Sequence, residues 1–301
     1  MDFNTVFTFD IPNIYPEVLE GIKQGTITIR DGVAYWNELA DKAGIAQHLP
    51  LKETVSNFDS LQELMQAAHT TQLMAIGIST GITLAATVVQ TMYLSKKLDE
   101  LQHTAEAISK DIEAQNVLFF IDKASEYIGV VESARVILLD KALVEETRDV
   151  AGALLASMAC KRNELMSFLD NLVNFADQVS NKHFLDTIGF IQQMLDLLPK
   201  AINLESQFCD RYGKFTLANH LLQHSGVRYD RTLTLFRDWC NEKANGLLHG
   251  NTDFRADVIA NQKSNLKALF HNEINQQLLQ ELALPKLAEK VEETQHHKLV
   301  S

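Results

Sequence analysis

Thr70-Thr-Gln-Leu-Met-Ala-Ile-Gly-Ile-Ser-Thr-Gly-Ile-Thr-Leu-Ala-Ala-Thr-Val-Val-Gln-Thr-Met-Tyr-Leu-Ser95 carries no charge over 26 positions, in a chain of which 22% is charged. A helix of about 20 residues spans a hydrocarbon core, so the length permits a membrane crossing. Ser79, Thr80, Thr83, Thr87, Gln90 and Thr91 hold the hydropathy down. On a helix at about 100° per residue these polar positions share an arc of about 120°. Met74, Ile78, Ile82, Val88, Val89 and Met92 fall on the other side. Gly77, Gly81 and Ala85 recur every fourth residue along one edge of the apolar face, a small-xxx-small row that lets helices approach closely. A single lipid-embedded helix disfavours the polar stripe. An oligomer of such helices turns Thr80, Thr83, Thr87 and Gln90 toward a lumen or toward partner helices. Gly77, Gly81, Ala85, Ile78, Ile82 and Val89 are then the packing residues.

Two other readings fit the same letters. As the central helix of a soluble bundle, the segment packs its apolar face on neighbours and uses the small residues for a close crossing. Gly77-Ile-Ser79-Thr-Gly81 also matches G-x-S-x-G, the nucleophile elbow of acyl-transfer enzymes. That chemistry needs a strand-to-helix turn and backbone oxyanion donors. The surroundings offer neither alternating strand and helix units nor a glycine-rich oxyanion motif. Ser79 is therefore expected to carry no catalysis, and the chain reads as non-enzymatic.

Just downstream, Leu94, Leu98, Leu101, Ala105, Ile108 and Ile112 are spaced 4, 3, 4, 3, 4, which is a heptad seam. No proline lies between Pro50 and Pro199, and no glycine between Gly81 and Gly129. Both residues penalise helix interiors. One long helix is expected from about residue 56 to near Gly129. Amphipathic segments follow at roughly 130–142, 145–180, 183–198, 200–223, 229–247, 253–281 and 284–295. Breaks are expected near Asn181, Pro199, Ser225-Gly226, Gly246 to Gly250 and Pro285.

Upstream, Pro16 to Lys23 reads as a short helix ended by Gly25. Thr26 to Ile29 and Val33 to Trp36 flank Asp31-Gly32, a hairpin signal because glycine accepts the positive φ of primed turns. Residues 1–50 are expected to form a small α+β cap with Phe9, Tyr15 and Trp36 in its core.

The 301 residues hold 39 acidic and 27 basic side chains, a net charge of -12. Half of it lies in the first 69 residues (10 acidic, 4 basic). Such a balance excludes a broad nucleic-acid surface. Cys160, Cys209 and Cys240, odd in number and far apart, give no disulfide framework and fit a reducing compartment. Lys96 and Lys97 follow the uncharged segment, so the positive-inside rule places the C-terminal part in the cytoplasm. The start, MDFNTVFTFD, lacks a basic region and a cleavage pattern. A cytoplasmic protein that associates with or enters the inner membrane conditionally is the expectation.

Other constellations are weaker. His220 and His224 stand four apart on one helix face, a spacing able to hold a metal, with Cys209, Cys240 and His249 as further ligands if the fold gathers them. Leu221 replaces the general base of H-E-x-x-H, and a solvated helix face is the default, so no metal is expected. Arg228, Arg231 and Arg237 mix with Tyr229, Phe236 and Trp239, a patch suited to phosphate or an acidic partner. The plainer view is a core-facing helix presenting Leu233, Phe236, Trp239 and Cys240. Asn272 to Glu281 reads as a polar helix face. No Walker A loop or G-x-G-x-x-G is present.

These features predict a mainly α protein: an elongated helical bundle or coiled coil with a long central helix and a small hairpin-bearing cap. Its parts are residues 1–50, 51–129 and 130–301. The layout resembles that of α-helical pore-forming proteins, in which long soluble helices hide an amphipathic apolar element. The expected function is a non-enzymatic, self-associating protein, without cofactor, whose segment 73–94 contacts or inserts into a membrane. Its partners are then further copies of itself through the seam and, conditionally, the bilayer, with no nucleic acid. A soluble helical scaffold or partner-binding module is the alternative.

Overall fold

The computed structural model describes residues 5–55, 115–139, 141–248, 254–281 and 283–287. The uncharged segment, with Ser79, the small-residue row and the polar stripe, lies outside these residues. So does the seam Leu94, Leu98, Leu101, Ile108 and Ile112.

The described chain is mainly helical with a small antiparallel sheet. Strand β1 (Thr5–Phe9) pairs antiparallel with β5 (Leu51–Val55). Between them lie helix α1 (Pro16–Lys23) and the three-stranded sheet β2 (Ile27–Arg30), β3 (Val33–Trp36) and β4 (Ile45–His48). Proline opens α1 at a position where its missing N–H costs nothing. The β2–β3 hairpin turns on Asp31 (φ 47°) and Gly32 (φ 72°), both left-handed, as a primed turn requires. Ile14, Val18, Ile22, Ile27, Ile29, Ala34 and Leu49 make the cap core. Trp36 packs against it, half-buried, whereas Tyr15 is exposed and not a core residue. Lys52 stands in β5.

The bundle contains α2 (Gln115–Leu139), α3 (Arg148–Phe175), α4 (Asn181–Arg211) and α5 (Phe215–Leu248), followed by α6 (Phe254–Asn261), α7 (Lys263–Phe270) and α8 (Glu273–Leu278). Their apolar faces share one core that includes Tyr127, Leu138, Leu165, Phe184, Ile191, Phe208 and Phe236.

Several expected breaks are absent. Gly129 lies inside α2, and Ser225-Gly226 inside α5. Helix α4 passes through Pro199. Proline leaves the carbonyl of Leu195, four residues earlier, without its helical donor. The buried Tyr229 hydroxyl of α5 donates to that oxygen at 2.9 Å, which lets the helix continue. The actual stop is Gly213 (φ 68°): the N–H of Lys214 bonds the Cys209 carbonyl and that of Gly213 the Asp210 carbonyl, both at 2.9 Å, a Schellman cap. Residues 283–287 are extended rather than helical. Pro285 bridges Asn37, the Lys286 N–H bonds the Trp36 carbonyl at 2.7 Å, and the Gly44 N–H bonds the Lys286 carbonyl at 2.6 Å. The end of the described chain thus clasps the cap.

Candidate functional site

Three polar constructions stand out: one joins cap to bundle, one ties α2, α3 and α4 together, and one lies between helices α3 and α5. At the first, the hairpin tip meets the end of α4. Arg30 is 1% exposed. Its Nη1 donates to Asp210 Oδ1 at 2.7 Å, its Nη2 to Asn219 Oδ1 at 2.8 Å, and its Nε and Nη2 to the Ala283 carbonyl at 3.3 Å. The guanidinium also lies 5.3 Å from the Phe215 ring centroid. One residue on, the charges reverse. Arg211 Nε and Nη2 donate to the two Asp31 carboxylate oxygens at 2.5 and 2.9 Å. Arg211 also donates to the carbonyls of Ile137 and Leu138, at 2.7 and 2.6 Å, satisfying orphan acceptors at the end of α2. The left-handed turn at Asp31 aims its carboxylate at α4, and the Schellman cap fixes the helix end that receives it. Burial raises the Asp210 carboxyl to about 6, against the lowering effect of Arg30.

Deeper in the bundle, Glu205 of α4 is fully buried. Tyr127 of α2 donates to its Oε1 at 2.5 Å, and Arg162 of α3 pairs with its Oε2. Desolvation pushes the Glu205 carboxyl up to about 7, the Arg162 and Tyr127 interactions opposing it. One buried carboxylate therefore ties three helices together. It is flanked by Cys209, whose thiol burial drives up to about 12 and so keeps protonated and unreactive.

Above this triad lies a groove of about 660 Å³ between α3 and α5. His220, His224, Arg228 and Arg231 line its α5 wall, Asn163 and Asp170 line the α3 wall, and Arg162 forms the floor. The two imidazoles pack edge to face with centroids 4.8 Å apart. Arg228 crosses the groove, donating to Ser167 Oγ at 2.6 Å and to Asn163 Oδ1 at 3.3 Å. Asp170 accepts from Thr232 Oγ1 at 2.6 Å. The exposed side chains of Leu217 and Val227 give the rim an apolar part.

The histidine pair and the Arg228–Arg231 patch, separate motifs in the sequence, thus share one wall. Arg237 lies elsewhere, near Asp238. Phe236 and Cys240 are buried and Leu233 and Trp239 partly so, as the plainer view expected. Among the described residues no group of three His, Cys, Asp or Glu side chains is placed to hold a metal. His249 lies outside them.

Sequence reading missed Arg30, Asp31, Asp210 and Arg211 because their partners lie 180 positions away. It also treated Asn272 to Glu281 as a solvated face. Asn275 is instead 1% exposed, and its Oδ1 accepts from the buried Lys200 Nζ at 2.9 Å. Asn272 caps α8 through the Asn275 N–H at 3.1 Å. The signal present was Asn272 itself, a residue type favoured at the N-cap of a helix. Compared with protein families, with curated proteins and with solved structures, the chain matches none.

Proposed function

We propose that this is a non-enzymatic, self-associating helical protein whose residues 73–94 contact a membrane from one face, while the cap and bundle stay together on that side. The observation that carries the proposal is the uncharged run 70–95, set between a cap and a bundle held together by buried ion pairs. A single crossing by 73–94 would separate residues 5–55 from 115–287 by about 30 Å of hydrocarbon. That separation would strip Arg30 from Asp210 and Arg211 from Asp31. Two crossings need about 40 apolar residues, and the longest stretch of residues 56–114 without Asp, Glu, Lys or Arg is 32, from Leu64 to Ser95. Entry without cap release is therefore interfacial or re-entrant, with Ile78, Ile82 and Val89 toward lipid. Gly77, Gly81 and Ala85 set the packing between copies, and Thr80, Thr83, Thr87 and Gln90 form their polar side. Leu94, Leu98, Leu101, Ile108 and Ile112 continue as a coiled-coil seam into α2, the element that would give the assembly an elongated form. A membrane-permeabilising effector of the cytoplasmic face is the fullest version of this role.

Dye-filled vesicles test it. Wild type should release dye, and Gly81→Leu should stay folded and release less. No release by wild type, together with no membrane association, sinks the proposal. Ser79→Ala should change nothing, since no ester hydrolysis is expected.

A second reading, a helical scaffold or partner-binding module, is favoured by the rigid junction of cap and bundle and by the open α3–α5 groove. It predicts that the chain ignores vesicles and retains its partner-binding surface after Gly81→Leu.

A further inference from the structure

We propose that the groove between α3 and α5 binds the phosphate group of a phosphate monoester that also carries an apolar body. Three arginines and two histidines face the groove against one carboxylate, Asp170, in a chain whose net charge is -12. Asp170 is already engaged by Thr232, and among the described residues Arg231 has no ion-pair partner while exposed on the wall. Arg162, 7% exposed on the floor, spends Nη1 on Glu205 and leaves its Nε–H buried without an acceptor. A buried donor without an acceptor is a standing cost to the fold, and it sits in a residue that lines the groove.

Guanidinium forks match phosphate oxygens in pairs, and Arg228 and Arg231 sit one helical turn apart on the same face. His224 and His220 carry ring N–H groups one and two turns further along the same wall. The volume suits a small organic ligand rather than a bare ion. Leu155 and Leu217 supply an apolar wall for its body. Free phosphate esters and phosphatidate headgroups share the recognised chemistry. A metal-bridged mode is not needed for it.

The test titrates full-length protein with phenyl phosphate, with inorganic phosphate, and with vesicles of phosphatidylcholine alone or mixed with phosphatidate. Phenyl phosphate should bind saturably and more tightly than inorganic phosphate. Arg231→Glu and Arg228→Gln should each weaken it at least tenfold, while Lys263→Glu, outside the groove, should not. If only phosphatidate vesicles bind in an arginine-dependent way, the headgroup is the source. Absence of saturable binding to every probe overturns the proposal. So does binding that survives both arginine substitutions or falls equally with Lys263→Glu. Arg231→Glu is on an exposed position, and an unchanged melting curve separates lost binding from lost fold. Association with pure phosphatidylcholine should be indifferent to both arginines, so membrane contact through 73–94 stands or falls separately.

Discussion

Asp210 Oδ1 accepts a 2.7 Å hydrogen bond from Arg30, a fully buried arginine 180 positions earlier in the chain. The next residue of each partner repeats the contact with opposite polarity, Asp31 against Arg211. Removing one member leaves the other charge buried and uncompensated, which costs about 3–5 kcal/mol. Arg30→Met should therefore lower the unfolding free energy by about that much. Denaturant titration checks it. Asp31→Gly preserves the left-handed turn and removes a less deeply buried carboxylate, and Arg211 keeps the Ile137 and Leu138 carbonyls as acceptors, so a smaller loss of about 1–3 kcal/mol is expected. Equal stability of both variants and wild type would mean that the junction contributes nothing.

Pro199 and Tyr229 form a second coupled pair through the Leu195 carbonyl. Tyr229→Phe should cost about 1–3 kcal/mol, because that buried acceptor loses its donor. Pro199→Ala restores a backbone N–H able to reach the same oxygen. In that background the cost of Tyr229→Phe should shrink. A double-mutant cycle with no coupling contradicts the explanation of the unbroken helix.

Burial places the Glu205 and Asp210 carboxyls at about 7 and about 6, above their ordinary values of 4.5 and 3.8. A carboxyl raised in the folded state holds its proton more firmly there than in the unfolded chain. Its stabilising contribution is complete below the unfolded values and is lost as pH rises through the folded ones. Stability from these two groups should thus fall between about pH 4 and 7. Glu205→Gln should flatten that slope. A slope unchanged by the substitution would show that Glu205 titrates normally.

Of the three thiols, Cys160 is exposed, and Cys209 and Cys240 are buried with their ionisation pushed up to about 12. A thiol reagent should modify one cysteine in the native protein and all three in denaturant. Fast modification of a second thiol in the native state would show that the bundle opens at α4 or α5.

What the sequence revealed divides by range. The hairpin was legible because Asp31-Gly32 obeys a local backbone rule. The helical character of residues 115–248 was legible because periodicity is local too. Pro199 misled because the compensating donor, Tyr229, sits on another helix. Gly213 went unnoticed as a stop because its signature is a positive φ and two backbone bonds, not a run of turn residues. The spacing of His220 and His224 marked one wall of the groove. Nothing near them in sequence announced that Arg162 and Asn163 would supply the floor and the facing wall. The cap-to-bundle junction was illegible for the same reason, since charge pairs 180 residues apart leave no pattern along the chain.

The central claim, membrane contact through residues 73–94 with the cap docked, is tested most directly by flotation of the full chain with phosphatidylcholine and phosphatidylglycerol vesicles. Wild type should float with the lipid. A double Ile82→Lys, Val89→Lys variant, which places two charges on the apolar face, should remain at the bottom with an unchanged melting curve. Wild type that stays at the bottom, or a double variant that floats as wild type does, would contradict the account.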